Sequence, residues 1–130
     1  MNGNGILISM NSWRQILSWQ VEEEFQVVSP GDLPLNFPSG TSFLFEIQTT
    51  YARLVKKFGR PTLPYGDVEK TDREWVVYLP IIGKYFTIYN YKNGQNYLGR
   101  RGTPVTRITN WHIGGESGYS NEIHQILDTL

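Results

Sequence analysis

A chain of 130 residues is long enough for one domain and too short for two, and folding would bury roughly two thirds of the surface its unfolded form exposes. Twelve basic and twelve acidic residues leave no net charge, which disfavours extended nucleic acid, anionic membrane and the acidic face of a DNA mimic as the basis of function. The lack of cysteine removes disulfides, thiolate nucleophiles and zinc–thiolate sites, and no apolar run approaches the roughly 18 residues of a membrane span.

The start, "MNGNGILISM", has no basic region ahead of its short apolar run, so no secretory signal is expected and the protein is read as cytoplasmic. Asn11 or Ser12 can cap a helix over residues 12–23, with Trp13, Ile16 and Leu17 on one face, and a short strand is expected over 24–28. Three prolines and two glycines in residues 29–40 mark a surface loop. Residues 1–40 are therefore read as an N-terminal extension and 41–130 as the core domain.

From Thr41 the patterns sharpen. "TSFLFEIQ" alternates Phe43, Phe45 and Ile47 with Ser42, Leu44 and Glu46, the period of a strand. Thr49 or Thr50 can cap a helix with Tyr51, Leu54, Val55 and Phe58 on one face, ended by Gly59 and Pro61. A polar loop leads into "EWVVYLP", apolar enough for both faces to be covered. Its hairpin partner, "KYFTIYNYK", sorts into two faces: Phe86 and Ile88 are expected in the core, with Tyr85, Tyr89 and Tyr91 looking out. Asn93-Gly94 signals a tight turn, a strand is expected over 105–109, and Ser120 can cap a last helix bearing Ile123, Ile126, Leu127 and Leu130. The order predicts a small α+β domain, with an antiparallel sheet of three to four strands against two or three helices.

Catalytic patterns are weak. His112 and His124 fall on different elements, no G-x-S-x-G elbow or phosphate loop occurs, and the acids Asp67, Glu69, Asp72 and Glu74 read as a solvated run. A non-enzymatic protein without a cofactor or metal is expected, a small metal-dependent hydrolase using the acids and His112 being the least favoured alternative. Rings and basic groups are more suggestive. Tyr85, Tyr89, Tyr91, Lys92, Tyr97, Arg100, Arg101, Arg107 and His112 are the candidate binding residues, because aromatics and arginine are enriched at protein interfaces. The same group could stack a nucleotide base and clamp its phosphates, making a nucleotide-binding protein the main alternative. An aromatic face and zero net charge are also compatible with a homodimer.

The ordered series "TTYARLVKKFGRPT", "EWVVYL", "FTIYNYKNGQNYLG" and "ITNWHIGG" resembles small proteins of tailed phages and large DNA viruses, over residues 41–115. The resemblance implies a viral accessory protein and, at this size, an inhibitor of a host defence system, such as an anti-CRISPR type inhibitor, acting by binding a host protein. It transfers no catalytic or binding residue, and residues 1–40 lie outside it.

Overall fold

The computed structural model describes residues 24–33, 42–67 and 69–130. The helix expected over 12–23 lies outside them. The described elements are strand β1 (Gln26–Val27), β2 (Ser42–Gln48), helix α1 (Tyr51–Phe58), β3 (Glu74–Leu79), β4 (Lys84–Tyr89), the single-turn α2 (Gln95–Leu98), β5 (Asn110–Gly115) and α3 (Ser120–Leu127). All neighbouring strands are antiparallel, in the spatial order β1-β3-β4-β5-β2. The protein is an α+β domain with five strands, one more than the upper sequence expectation.

The centre of the sheet is the β3–β4 hairpin. Residues 80–83 turn the chain: the amides of Ile82 and Gly83 bond back to the Leu79 carbonyl, and Gly83 takes a φ of 63° that suits a residue without Cβ. Register then fixes the faces. Trp75 lies opposite Ile88 and Val77 opposite Phe86, while Ile88 also pairs with Ile113 of β5. These five side chains are fully buried, together with Trp111, against Leu54 and Phe58 of α1 and Ile123, Ile126 and Leu127 of α3. Phe86 and Ile88 therefore face inward, as the alternation in "KYFTIYNYK" requires. Trp75 and Trp111 meet edge to face at 5.7 Å, and the Trp75 indole N–H donates to the Gly59 carbonyl at 3.0 Å, which ties the end of α1 to the sheet.

Helix α1 follows its sequence cues. Thr50 Oγ1 accepts from the Arg53 amide at 3.2 Å, and Gly59 ends the helix with a φ of 75°. Helix α3 begins differently: Tyr119 is its N-cap without a side-chain bond, and the Ser120 hydroxyl donates back to the Ser117 carbonyl at 3.0 Å. Of the stretch ahead of residue 41, residues 25–28 join the fold. β1 pairs with β3, and Phe25 packs on Phe58 with ring centroids 5.1 Å apart.

Two expectations need correction. The strand after the basic turn is not 105–109: Val105–Arg107 form a 3-10 turn and the strand is Asn110–Gly115. In that strand Gly115 stands where a Cβ would press on Leu44, Ile123 and Phe86. In β2, the register with β5 shifts between Phe43 and Phe45. This bulge breaks the period of two. Phe45 and Ile47 pack on the core, whereas Phe43 emerges on the opposite face, 52 % exposed.

Candidate functional site

The bulge completes a set of rings on the outer face of the sheet. Tyr89 of β4 stands opposite Glu74 on one side and His112 on the other, and His112 stands opposite Glu46 of β2. His112 is the hub. Its ring lies 4.7 Å from Phe43, 5.5 Å from Tyr89 and 5.4 Å, stacked, from Tyr91, while its Nε2 is 3.2 Å from Glu46 Oε1. Tyr89 and Tyr91 meet edge to face at 6.2 Å. Just beyond, Lys92 takes a φ of 59°, rare for a residue with a Cβ, and its amide donates to the Lys70 carbonyl at 2.8 Å. Its ammonium sits 5.2 Å from the Tyr91 ring and 5.3 Å from the Tyr97 ring, so the cation bridges the strand rings to α2.

Four rings of this strip and the lysine come from the sequence prediction; Phe43 does not, because strict alternation assigns it inward. Tyr85 stands apart from the strip, paired with Tyr78 at 4.8 Å toward the hairpin end of the ribbon. Between the two groups Val76 and Thr87 are buried, so the outer face is not uniformly wet. The covering of both faces expected for "EWVVYLP" holds at Val76.

Burial shapes the electrostatics beneath the rings. It pushes the Glu74 carboxyl up to about 7, with the nearby Asp67 charge adding to the rise. Burial also raises the Tyr89 phenol, helped by Glu74 and Tyr91, so that hydroxyl remains a neutral donor well past neutrality. Asp67 shows the reverse balance. Burial pushes it up, but amides of Thr71, Lys70 and Glu69 outweigh that and hold its carboxyl below the ordinary value.

The acids expected as a solvated run are thus partly structural. Asp72 is buried; its Oδ1 accepts from Asn90 Nδ2 at 2.9 Å and its Oδ2 from the amides of Gln95 and Asn96 at 3.2 and 3.3 Å. Asn90, fully buried, uses Oδ1 to accept the amides of Asp72 and Arg73 and donates also to Asn93 Oδ1 at 3.0 Å. The Asn93-Gly94 dipeptide serves this network. Gly94 is required because a Cβ would overlap the Asp72 carboxylate, and the left-handed residue is Lys92 instead. The network clamps the loop before β3 to the segment after β4, and so fixes where Tyr91, Lys92 and Tyr97 stand. Among the described residues, no three His, Asp or Glu side chains are placed to hold a metal ion.

Arg100, Arg101 and Arg107 gather elsewhere. They line an open depression of about 590 Å³ with Gln95 and Thr103, and no ring of the strip lines it. The structure therefore divides the predicted binding residues into a ring strip with Lys92, an arginine turn, and Tyr85 beside Tyr78. No described helix is long and apolar enough to cross a membrane. Comparison with family models, curated proteins and solved structures finds no match to the chain.

Proposed function

We propose that the chain is a non-enzymatic interaction protein that docks a partner protein through the outer ring strip of Phe43, Tyr89, Tyr91, Tyr97 and His112, with Lys92 at its edge. One observation carries the reading: five rings from three strands, the segment after β4 and α2 form a contiguous surface in which Phe43, Tyr91 and Tyr97 remain 52, 39 and 48 % exposed. Rings held rigid by their neighbours lose little freedom on binding, and Tyr carries both apolar area and a hydroxyl, which is why such residues dominate interface energetics. The resemblance of residues 41–115 to phage and large-virus proteins supplies the setting: a viral accessory protein in the host cytoplasm whose partner is a component of host defence.

The hydrolase reading loses support because Asp72 spends both oxygens on Asn90 and loop amides, and Asp67 Oδ1 is taken by loop amides. The reading in which one ligand is both stacked by tyrosine and clamped by arginine loses support because rings and arginines line different surfaces.

Photocrosslinking tests the proposal. A benzoylphenylalanine at Tyr91 or Tyr97, in the cell that produces the protein, should yield one discrete protein adduct. The same probe at Ile81, 79 % exposed at the hairpin tip, should yield none above background. Equal adduct patterns at all three positions would reject the ring strip as the docking surface.

A further inference from the structure

Charge along this chain is segregated, though it sums to zero. Between Glu74 and Glu116 there is no acidic residue, while Lys84, Lys92, Arg100, Arg101 and Arg107 all fall there. Lys84 reaches Glu116 at 3.4 Å and Lys92 lies over tyrosine rings. The three arginines are exposed, and among the described residues none of their guanidiniums has an ion pair or a hydrogen-bond acceptor.

We propose that the 99–107 turn is an anion site for a linear polyphosphate, bound through Arg100, Arg101 and Arg107 without any contribution from a base. The backbone that carries the three side chains is held at several points. The Gly102 amide donates to the Gly99 carbonyl at 2.9 Å, the Thr103 amide to Asn93 at 3.0 Å and the Arg107 amide to Pro104 at 2.8 Å. Gly102 is buried against the Gly94 carbonyl with no room for a Cβ, and Asp72 anchors the start of α2 from beneath. Three cations are therefore carried by a tethered turn around one depression, and no acid among the described residues pairs with them to offset their mutual repulsion. An oxyanion chain relieves it directly, because each planar guanidinium can give two parallel N–H bonds to neighbouring phosphate oxygens. At about 590 Å³ the depression exceeds what one orthophosphate fills, and Gln95 and Thr103 add polar lining. No aromatic side chain lines it, so a nucleoside would add little to the grip.

This site goes beyond the docking function and is independent of the ring strip, so either can fail alone. Inorganic tripolyphosphate titrated calorimetrically into the full chain at low salt should bind saturably at one site and raise the melting temperature as free ligand increases. Orthophosphate should bind more weakly, and ATP should match tripolyphosphate within a few-fold. R100Q, R101Q and R107Q should each weaken binding by about tenfold or more, since a charge-assisted bond is at stake. K56Q and K57Q on α1, which border a different depression, should change it little. Amide chemical-shift changes in the unmodified protein should centre on residues 99–107, a readout that needs no variant. The proposal is overturned if tripolyphosphate does not saturate, if K56Q and K57Q weaken binding as much as the arginine variants, or if shifts centre elsewhere. ATP binding far tighter than tripolyphosphate, with the advantage lost in Y97S, would equally overturn it in favour of a base-reading site. Binding of a single-stranded oligonucleotide without binding of tripolyphosphate would overturn it as well.

Discussion

The two faces of β4 are made by one six-residue strand and have opposite fates. Phe86 and Ile88 are sealed beneath α1 and α3, touching Trp75, Val77 and Ile113 of the neighbouring strands. Tyr85 and Tyr89 on the reverse side are half-buried and contact other rings edge to face or tilted. The inner face gains stability from area removed from water, whereas the outer face leaves ring area uncovered that a second protein could cover. The stabilising face and the proposed docking face are thus separated by a single residue of strand register.

Breaking the inner face should have the largest effect. Phe86→Ala or Ile88→Ala removes fully buried atoms from a site framed by two tryptophans, and about 3–5 kcal/mol of unfolding free energy should be lost in urea titration. Next comes the clamp between the faces. Asn90→Ala strands the amides of Asp72 and Arg73 and takes a donor from the Asp72 carboxylate, at a cost of about 2–3 kcal/mol. It should also release Lys92 and Tyr97 from their places, visible as loss of the slow amide exchange expected for residues 90–96.

Glu74 sharpens the comparison through pH. Its folded carboxyl titrates at about 7 against an ordinary 4.5, so the folded state holds the proton more tightly than the unfolded chain. That contribution to stability is complete below about 4.5 and declines as pH rises to about 7. Asp67 works in another window, since its lowered carboxyl adds stability above its ordinary 3.8 and loses it in acid. Glu74→Gln should flatten the stability profile between about pH 4.5 and 7 while leaving the acid limb in place. A profile unchanged by the substitution would show that Glu74 is well solvated. The smallest effect on stability is expected at the exposed rings: Tyr91→Ser and Tyr97→Ser should each change the unfolding free energy by no more than about 0.5 kcal/mol. Tyr89→Ser should cost more, because that ring is half-buried between Glu74 and His112.

What the sequence made legible is what local patterns encode. The cap at Thr50, the stop at Gly59, the inward pair Phe86 and Ile88 and the stripe on α3 all follow from periodicity and from single-residue preferences. What escaped it depends on long-range contact. Phe43 moved to the outer face because a bulge in β2 answers the register of β5, 66 residues away by the pairing of Glu46 with His112. In "NWHIGG" the side chains that Gly115 admits at close range, Leu44, Ile123 and Phe86, come from three other elements and are named only once those elements meet. Asp72 and Gly94 looked like a surface acid and a turn glycine, yet each exists for the other. In the candidate site the sequence identified Tyr89, Tyr91, Lys92, Tyr97 and His112 as a group; it could not separate them from the arginines, since adjacency in the chain says little about which surface a turn presents.

The most direct test of the outer strip is to compare how much partner protein co-purifies with the Y91S/Y97S double variant and with the unmodified chain, from cells producing each, normalised to folded protein by its unfolding transition. Rings kept for docking predict that the partner found crosslinked at Tyr91 is lost from the double variant while the unfolding midpoint stays put. Full retention of that partner by an equally stable double variant would contradict the assignment.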